Sequence, residues 1–349
     1  MATATGVYHT SYEADYALRK TRAEWTRLAL IGAVVVAAPF VLDAFWLTVA
    51  NQVGIAIIGA IGLNILVGHT GLISLGHGAF LGVGAYTSAI IASRLDAPVL
   101  VAVGGAVAVT AVVGTFFGLP SLRLKGLYLA MATLAAQFIL LFAFRNWEFV
   151  TGGTDATVLQ YPEILGWTLS TDFAWYWVII GVAVAVTFGA RNLFRTGLGR
   201  AFHAVRDQDI AAAVMGINVG RQKLLAFAIS SGLVGLAGAL TAHYRTIVTW
   251  ERFTLDVSVL YLAMIIVGGL GSVAGSVYGA TFMTVLPALI QQFARNLRDT
   301  LPVISREIPA IQLIVFGLVI VLFLIFEPRG LDRMWQRIKD YFRLWPFRY

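Results

Sequence analysis

GRAFHAVRDQDIAAAVMGINVGRQKLLAFAISSGLVGLAGAL, residues 199–240, joins two kinds of sequence that do not share a solvent. Up to Lys223 the stretch is rich in charge; from Leu224 it runs apolar for close to the ~20 residues that a helix needs to cross a bilayer. Inside the charged part, Asp207 or Asp209 is placed to cap a helix N-terminus, Ile210 to Met215 is alanine-rich, and Gly216 stands where a left-handed cap ends a helix. That helix has about two turns, and isolated helices below ~12 residues are marginal in water. Ile210 and Val214 share one of its faces, so a partner surface is expected; the alternative is a solvated basic loop lying on anionic headgroups.

The rest of the chain agrees with a membrane solvent. Hydrophobic residues make up 59% and charged residues 12%, with a mean hydropathy of +0.81, whereas soluble domains carry about 25% charged residues. The expected fold is all-α, a polytopic transmembrane bundle with glycine-broken or re-entrant helices. With no cysteine, disulfides and thiolate metal sites are excluded, and five histidines stand without metal-ligand spacing.

Apolar runs at 28–48, 51–68, 72–93, 98–119, 126–145, 174–190, 224–243, 258–272, 275–294 and 308–326 predict about ten crossings. They divide the chain into an N-terminal segment 1–27, a permeation domain 28–326 and a basic tail 327–349. No cleavage pattern closes the first run, so it reads as an uncleaved helix. Ten crossings put both termini on one side, and that side then holds 18 of the 25 Lys and Arg but only 8 of the 18 acidic residues. Positive charge marks the cytoplasmic face. Both termini and the loop 191–223 are therefore expected in the cytoplasm, and loop 146–172 outside; the pI near 9.8 reports topology rather than nucleic-acid binding.

Two absences narrow the mechanism. Ion-coupled carriers use ionisable groups inside the membrane, but the carboxylates near apolar runs are Asp43, close to an end, and Glu327, just past one. A phosphate-binding loop needs GxxxxGK followed by Ser or Thr; of four lysines only Lys20 precedes such a residue, and Arg19 stands before it. Energy for transport, if used, comes from another chain. A membrane-embedded enzyme would need paired carboxylates, metal-spaced histidines or an activated serine, and none is evident.

Glycine is concentrated from Asn64 to Tyr86, at positions 68, 71, 76, 78, 82 and 84, although each glycine costs a helix up to ~1 kcal/mol relative to alanine. Two readings stand side by side. Gly78, Gly82 and Gly84 suit close helix packing. Asn64, His69, Thr70, Gly71, Ser74, Gly76 and His77 suit a broken helix whose freed backbone lines a water-accessible path, with His77 the better placed histidine. Val67, Gly68 and Gly71 recur as Val267, Gly268 and Gly271, next to Gly269, which is either a trace of two related halves or chance. Inverted halves would place these motifs on opposite faces, whereas ten crossings put both near the cytoplasmic one. Thr133 and Gln137, four apart, share a helix face as a pore wall or as interhelical hydrogen-bonding groups; Asn51 and Tyr128 are further candidates. Between the fifth and sixth runs lie Glu148, Asp155, Glu163 and Asp172 with Trp147, Tyr161 and Trp167, fit for a receptor surface or an aromatic belt.

Six segments in this order, 63–86, 118–134, Thr151-Gly152-Gly153, 199–240, 267–280 and 326–331, resemble the LivM-like membrane permeases of high-affinity branched-chain amino acid ABC transporters. The likeness spans most of the chain. It implies a transport subunit that is not itself an enzyme and has no cofactor of its own, ATP and Mg being bound by the partner ATPase. Two ATPase subunits, a second permease chain, a periplasmic substrate-binding protein and a bacterial-type inner membrane are the implied partners and place. The loop then resembles a coupling helix, with Arg200, Arg206, Asp207, Asp209, Ile210, Ala211, Ala212 and Gly216 as the residues facing the ATPase. Importer permeases often have Glu-Ala-Ala, three residues, then Gly; here Ile210 stands in the Glu position. Relatives of such permeases carry urea, short amides and aromatic acids as well as branched-chain amino acids, and Thr154-Asp155-Ala156 replaces the glycine or Pro-Asn-Gly that usually follows Thr-Gly-Gly. The rival reading is a stand-alone channel or facilitator.

Overall fold

A computed structural model describes residues 22–153, 156–164, 167–297, 308–327 and 330–344. Arg19, Lys20, Thr154 and Asp155, named above, lie outside the described residues, as do several of the charged residues counted there, Arg298, Arg306 and Arg329 among them. The chain divides into two compact units, 1–48 and 49–349. In the first, α1 (Arg22–Val41) stops before Asp43, whose carbonyl accepts from Leu47 N (2.9 Å) as the next helix starts.

Among the described residues the remaining helices of more than five residues are α2 (Ala44–Asn64), extended by a π-turn Ile65–His69; α3 (His77–Arg94); α4 (Val99–Gly118); α5 (Leu127–Asn146); α6 (Asp172–Leu193); α7 (Gly197–Asp207); α8 (Asp209–Val214); α9 (Val219–Arg245); α10 (Leu255–Gly268); α11 (Val273–Leu297); α12 (Ile308–Phe326); and α13 (Gly330–Leu344). Strand β1 (Thr157–Val158) pairs antiparallel with β4 (Ile247–Val248), and β2 (Glu163–Ile164) with β3 (Trp167–Thr168). The all-α class is as expected.

Among the described residues six helical stretches are long and apolar enough to cross a membrane: Ala44–His69, Val99–Leu122, Leu127–Asn146, Asp172–Leu193, Val219–Arg245 and Val273–Phe293. Ten crossings are therefore not confirmed. The expected run 28–48 is interrupted after Val41, and the run 72–93 is irregular until His77. The run 258–272 becomes α10, whose 14 residues reach about 21 Å, short of the ~30 Å hydrocarbon slab. In α12 the apolar stretch is Ala310–Phe323. Composition alone does not separate a crossing from an apolar helix that begins part-way through.

Helix α9 is the spine, and small residues let its neighbours close on it. Helix α4 runs antiparallel along it, with Gly118 against Phe227, Gly114 against Ser231, and Thr110 against Gly235. Helix α3 crosses it where Gly84 meets the Gly235 backbone and Gly238 meets the Leu81 carbonyl. Such contacts give lipid-embedded helices the van der Waals attraction that replaces a hydrophobic driving force. Gly78 and Gly82 also face close neighbours, Thr254 with Ser258, and Phe144 with Phe253, so the packing reading of this stripe is what the structure displays.

The loop after α6 holds two helices. The expected short helix is α8, and Gly216 does adopt φ +85°. Neither Asp207 nor Asp209 caps it: Gln208 is the N-cap, without a side-chain bond, because α7 runs through Asp207 and the Asp209 carboxylate is engaged elsewhere. The side-chain cap in this region is Asn218, whose Oδ1 accepts from Arg221 N (3.0 Å) at the start of α9.

Gly84→Val places a branched side chain against the Gly235 backbone, and overpacking of this kind costs about 1–3 kcal/mol. The thermal denaturation midpoint of the purified protein in detergent is expected to fall by several degrees. Gly181→Val, where a β-carbon meets nothing within 4 Å, is expected to leave it unchanged.

Candidate translocation and coupling site

The two glycine motifs meet. Asn64, 1% exposed, closes α2. Its Nδ2 donates to Ser272 O (2.8 Å) and Ser276 Oγ (2.7 Å), and its Oδ1 accepts from Gly271 N (2.9 Å). A β-carbon on Gly68 would collide with Asn64 Oδ1 and Gly271 N, and one on Gly268 would overlap Gly275 O. Gly71, Gly269 and Gly271 hold φ of +74°, +124° and +77°, the region open to glycine at no steric cost. The motifs therefore occupy one level and one contact. Arg206 of α7 lies over both: its Cγ is 3.3 Å from where a Gly71 β-carbon would stand, and its Nη1 2.6 Å from that of Gly271.

Beside this knot His69, 4% exposed, stacks on Phe194 with ring centroids 3.5 Å apart. Its Nδ1 lies 3.4 Å from His203 Nε2 on α7. Thr70 turns inward, donating from Oγ1 to Ile65 O (2.9 Å). Thus α7 touches both loops through Arg206 and the π-turn through His203.

Deeper along the chain, the irregular segment Gly71–Gly76 leads into α3, whose N-terminus is buried. The first turns of a helix leave N–H groups without intrahelical partners, and in the interior each unsatisfied donor costs roughly 1–3 kcal/mol. Side chains from two other helices meet them. Thr133 Oγ1 accepts from Leu75 N (3.0 Å), Ser258 Oγ from Gly78 N (2.7 Å), and Gln137 Oε1 from Ala79 N (2.8 Å). Ser74 Oγ accepts from Gly76 N (3.4 Å). Gln137 Oε1 also accepts from Ser258 Oγ (3.1 Å), while its Nε2 donates to Phe253 O (2.7 Å). His77, 2% exposed, packs against Tyr261 with ring centroids 4.5 Å apart, and its Nε2 has no hydrogen-bond partner among the described residues.

The pathway candidates thus fall into two clusters. Asn64, His69, Thr70, Gly71, Gly268, Gly269 and Gly271 make the glycine knot; Ser74, Gly76, His77, Thr133 and Gln137 make the buried helix start. Asn51 stands apart, donating to Asp172 O (3.0 Å), and Tyr128 is 71% exposed. Ser258, Tyr261, Ser272, Ser276, Phe194 and His203 complete these clusters and were not singled out from sequence. Serines four apart at 272 and 276, following the Gly268–Gly271 motif, were the available signal; the His69–His203 pairing, 134 residues apart, left none.

At the base of α8, Asp209 accepts an ion pair from Lys125 (2.6 Å) and lies 3.7 Å from Lys223, a lysine only 5% exposed that also reaches Ser121 O (3.4 Å). The hydrogen bond from Lys125 leads the causes that hold the Asp209 carboxyl below its ordinary value. Asp209 is therefore committed within the chain. Ala212 is buried, whereas Ile210, Val214 and Met215 are 71%, 83% and 82% exposed, an apolar tip on a clamped base. Arg200, Asp207 and Ala211 also lie on the exposed side of this hairpin.

A family model described as branched-chain amino acid transport system / permease component matches residues 45–324. The chain is 30% identical over 322 residues, 85% of its length, to the high-affinity branched-chain amino acid transport system permease protein LivM of Salmonella typhimurium, of which that covers 72%. It is also 30% identical over 331 residues to the LivM protein of Escherichia coli, covering 87% of this chain and 74% of that one. A more distant likeness, 28% over 198 residues, joins 54% of the chain to 55% of the autoinducer 2 import system permease protein LsrC of an Enterobacter species. No solved structure matches. With its apolar spans and this coverage, the chain belongs to the branched-chain amino acid transport permease family: it is a membrane transport component, not an enzyme.

His203 provides a test of the α7 contact. Burial pushes its imidazole below the ordinary value of 6.5, Arg206 adds to the shift, and Asp207 opposes it. The folded chain therefore binds that proton more weakly than the unfolded chain, so the contact with His69 is at full strength above about pH 6.5 and weakens as the pH falls below it. Amide exchange in α7, corrected for its intrinsic pH dependence, is expected to quicken between pH 7.5 and 5.5, and His203→Gln to flatten that change. Constant protection in the unsubstituted protein would contradict the assignment.

Proposed function

We propose that the chain is one permease subunit of an ATP-driven importer, forming half of a path for branched-chain amino acids or a related small polar or carboxylic solute. The observation that carries this reading is the α7–α8 hairpin. Its tip offers Ile210, Val214 and Met215 to solvent, its base is clamped by Asp209 to Lys125 and Lys223, and its stem rests through Arg206 on both glycine loops. A surface of this kind suits a socket on a separate ATPase, because an exposed apolar tip gains from burial and a clamped base transmits displacement. The missing phosphate-binding loop supports the same division of labour.

In this reading α8 and both termini face the cytoplasm, as the Lys and Arg distribution supports. Two ATPase subunits bind ATP and Mg on that side, a second permease chain completes the path, and a periplasmic substrate-binding protein delivers the solute to the opposite face of a bacterial inner membrane. The names of the LivM relatives support branched-chain amino acids as the substrate class. The break Thr70–Gly76 and the buried start of α3 form the pathway wall. Gln137 and Ser258 hold the α3 amides while the path is closed, and water or solute takes their place when it opens. This belongs to the general use of discontinuous helices at transport sites.

The reading is tested by affinity purification of the tagged chain from its own cells. ATPase subunits are expected to be retained, and Val214→Asp, which puts a charge on the apolar tip, is expected to lower both their recovery and solute uptake about tenfold, a loss of roughly 1.4 kcal/mol in the docking contact. The amount of folded permease should be unchanged. A chain that never retains an ATPase, or undiminished uptake in Val214→Asp and Gly216→Trp alike, would leave the channel reading standing.

A further inference from the structure

At the end of α9 opposite α8 lies a cavity of about 590 Å³. One wall is the turn joining α3 to α4, with Ser93, Asp96 and Pro98; the other is the segment from Val158 to Glu163. Polarity along the molecule is set by α4, which starts at this cavity and ends, through Leu122, beside the Lys125–Asp209 pair of the coupling hairpin.

The chemistry of the lining is one-sided. Asp96 and Glu163 are both exposed, come from different walls, and have no ion pair among the described residues. No lysine or arginine is among the described lining residues. Tyr161, 61% exposed, adds an aromatic ring to the same rim, and ring faces attract cations. His243 also lines the cavity although it is only 1% exposed. Its ring reaches Ser88 Oγ through Nε2 (2.8 Å), and its Nδ1 has no partner among the described residues. When Ser88 accepts from Nε2–H, Nδ1 becomes a buried acceptor, and leaving such a group unpaired costs roughly 1–3 kcal/mol.

We propose that this cavity receives a lysine or arginine side chain from the docking face of the substrate-binding receptor, with Asp96, Glu163 and Tyr161 at the mouth and His243 within. This rests on the importer reading above and adds to it a defined contact on the receptor side. A long-stemmed cation matches the arrangement better than a free amine does. Its charge sits between carboxylates on two separate walls while its N–H groups extend toward a sheltered acceptor, and the protein behind it closes an otherwise open mouth. Charge pairs of this kind steer encounter and fix register. The outer acidic and aromatic stretch noted in the sequence thereby acquires a function for Glu163 and Tyr161, while Asp172 is engaged otherwise, accepting from Tyr244 Oη (2.9 Å).

The experiment uses the complete transporter in nanodiscs, titrated with the receptor that stimulates its ATPase. The double variant Asp96→Asn, Glu163→Gln removes both charges. Asparagine tolerates the φ of +46° at position 96, and an unchanged thermal midpoint serves as the folding control. The half-saturating receptor concentration is expected to rise about tenfold at low salt, with the maximal rate retained at saturating receptor. The difference should shrink in ~1 M salt, where screening acts over about 3 Å, and Glu163→Asp, which keeps the charge, should stay near the unsubstituted value.

An unchanged half-saturation in the double variant would overturn the proposal. So would a variant that alters receptor-independent uptake of free amino acid and leaves the receptor titration untouched, because the cavity would then serve the solute. A wild-type complex whose ATPase ignores every receptor would overturn the importer reading itself, and the pocket's assignment with it. An importer that responds to receptor while the variant titrates normally removes only the pocket.

Discussion

Asn64 joins what the chain separates by more than 200 residues. Its amide is the smallest side chain that donates to Ser272 O and Ser276 Oγ and accepts from Gly271 N at once. It lies inside an apolar bundle, where Gly271 N without it would stand unsatisfied at roughly 1–3 kcal/mol, while Ser272 O and Ser276 Oγ also bond to each other (3.2 Å). The glycines around it follow from that one constraint. Gly68 and Gly271 must approach within a backbone's width for the amide to span the gap, and Gly71 and Gly271 must turn through positive φ to present the loops side by side. Gly330, at the start of α13, packs on Gly269, so the C-terminal helix is anchored to the same knot. Arg206 lies across the loops that Asn64 unites, and a displacement of α7 therefore reaches both together.

The second polar cluster obeys the same economy. A helix that begins inside the membrane exposes backbone amides to hydrocarbon unless protein supplies acceptors. Here α5 and α10 supply them through Thr133, Gln137 and Ser258. The cost of starting α3 in the interior is offset locally, by acceptors that belong to helices other than the one they cap. Relative motion of α3, α5 and α10 is thus coupled to exposure of the α3 amides. The glycine knot stands at the near end of the same segment.

Much of this was legible in the residues and some was not, for physical reasons. Membrane class, the short helix before Gly216, the close packing at Gly78 to Gly84 and the interhelical hydrogen bonding of Thr133 and Gln137 follow from local rules of hydropathy, glycine capping and helical spacing. The number of crossings is not decided there, because an apolar run such as 258–272 reads alike whether it forms a helix of full bilayer length or, as in α10, one of 14 residues. The commitment of Asp209 to Lys125 and Lys223 depends on three segments converging, which no spacing encodes. The His69–His203 pair and the service of Ser258 to α3 are likewise tertiary facts. The repeat of Val-Gly with a glycine three residues on was visible. That the two copies touch was not.

In the proposed importer, Asn64 makes the two glycine loops one mechanical element between ATPase and pathway. That role is tested most directly by measuring solute transported per ATP hydrolysed in the reconstituted complex carrying Asn64→Leu, with assembly verified. Continued receptor-stimulated ATP hydrolysis is expected, with transport per ATP reduced about tenfold or more, as in an uncoupled transporter. An assembled variant with an unaltered ratio would contradict it.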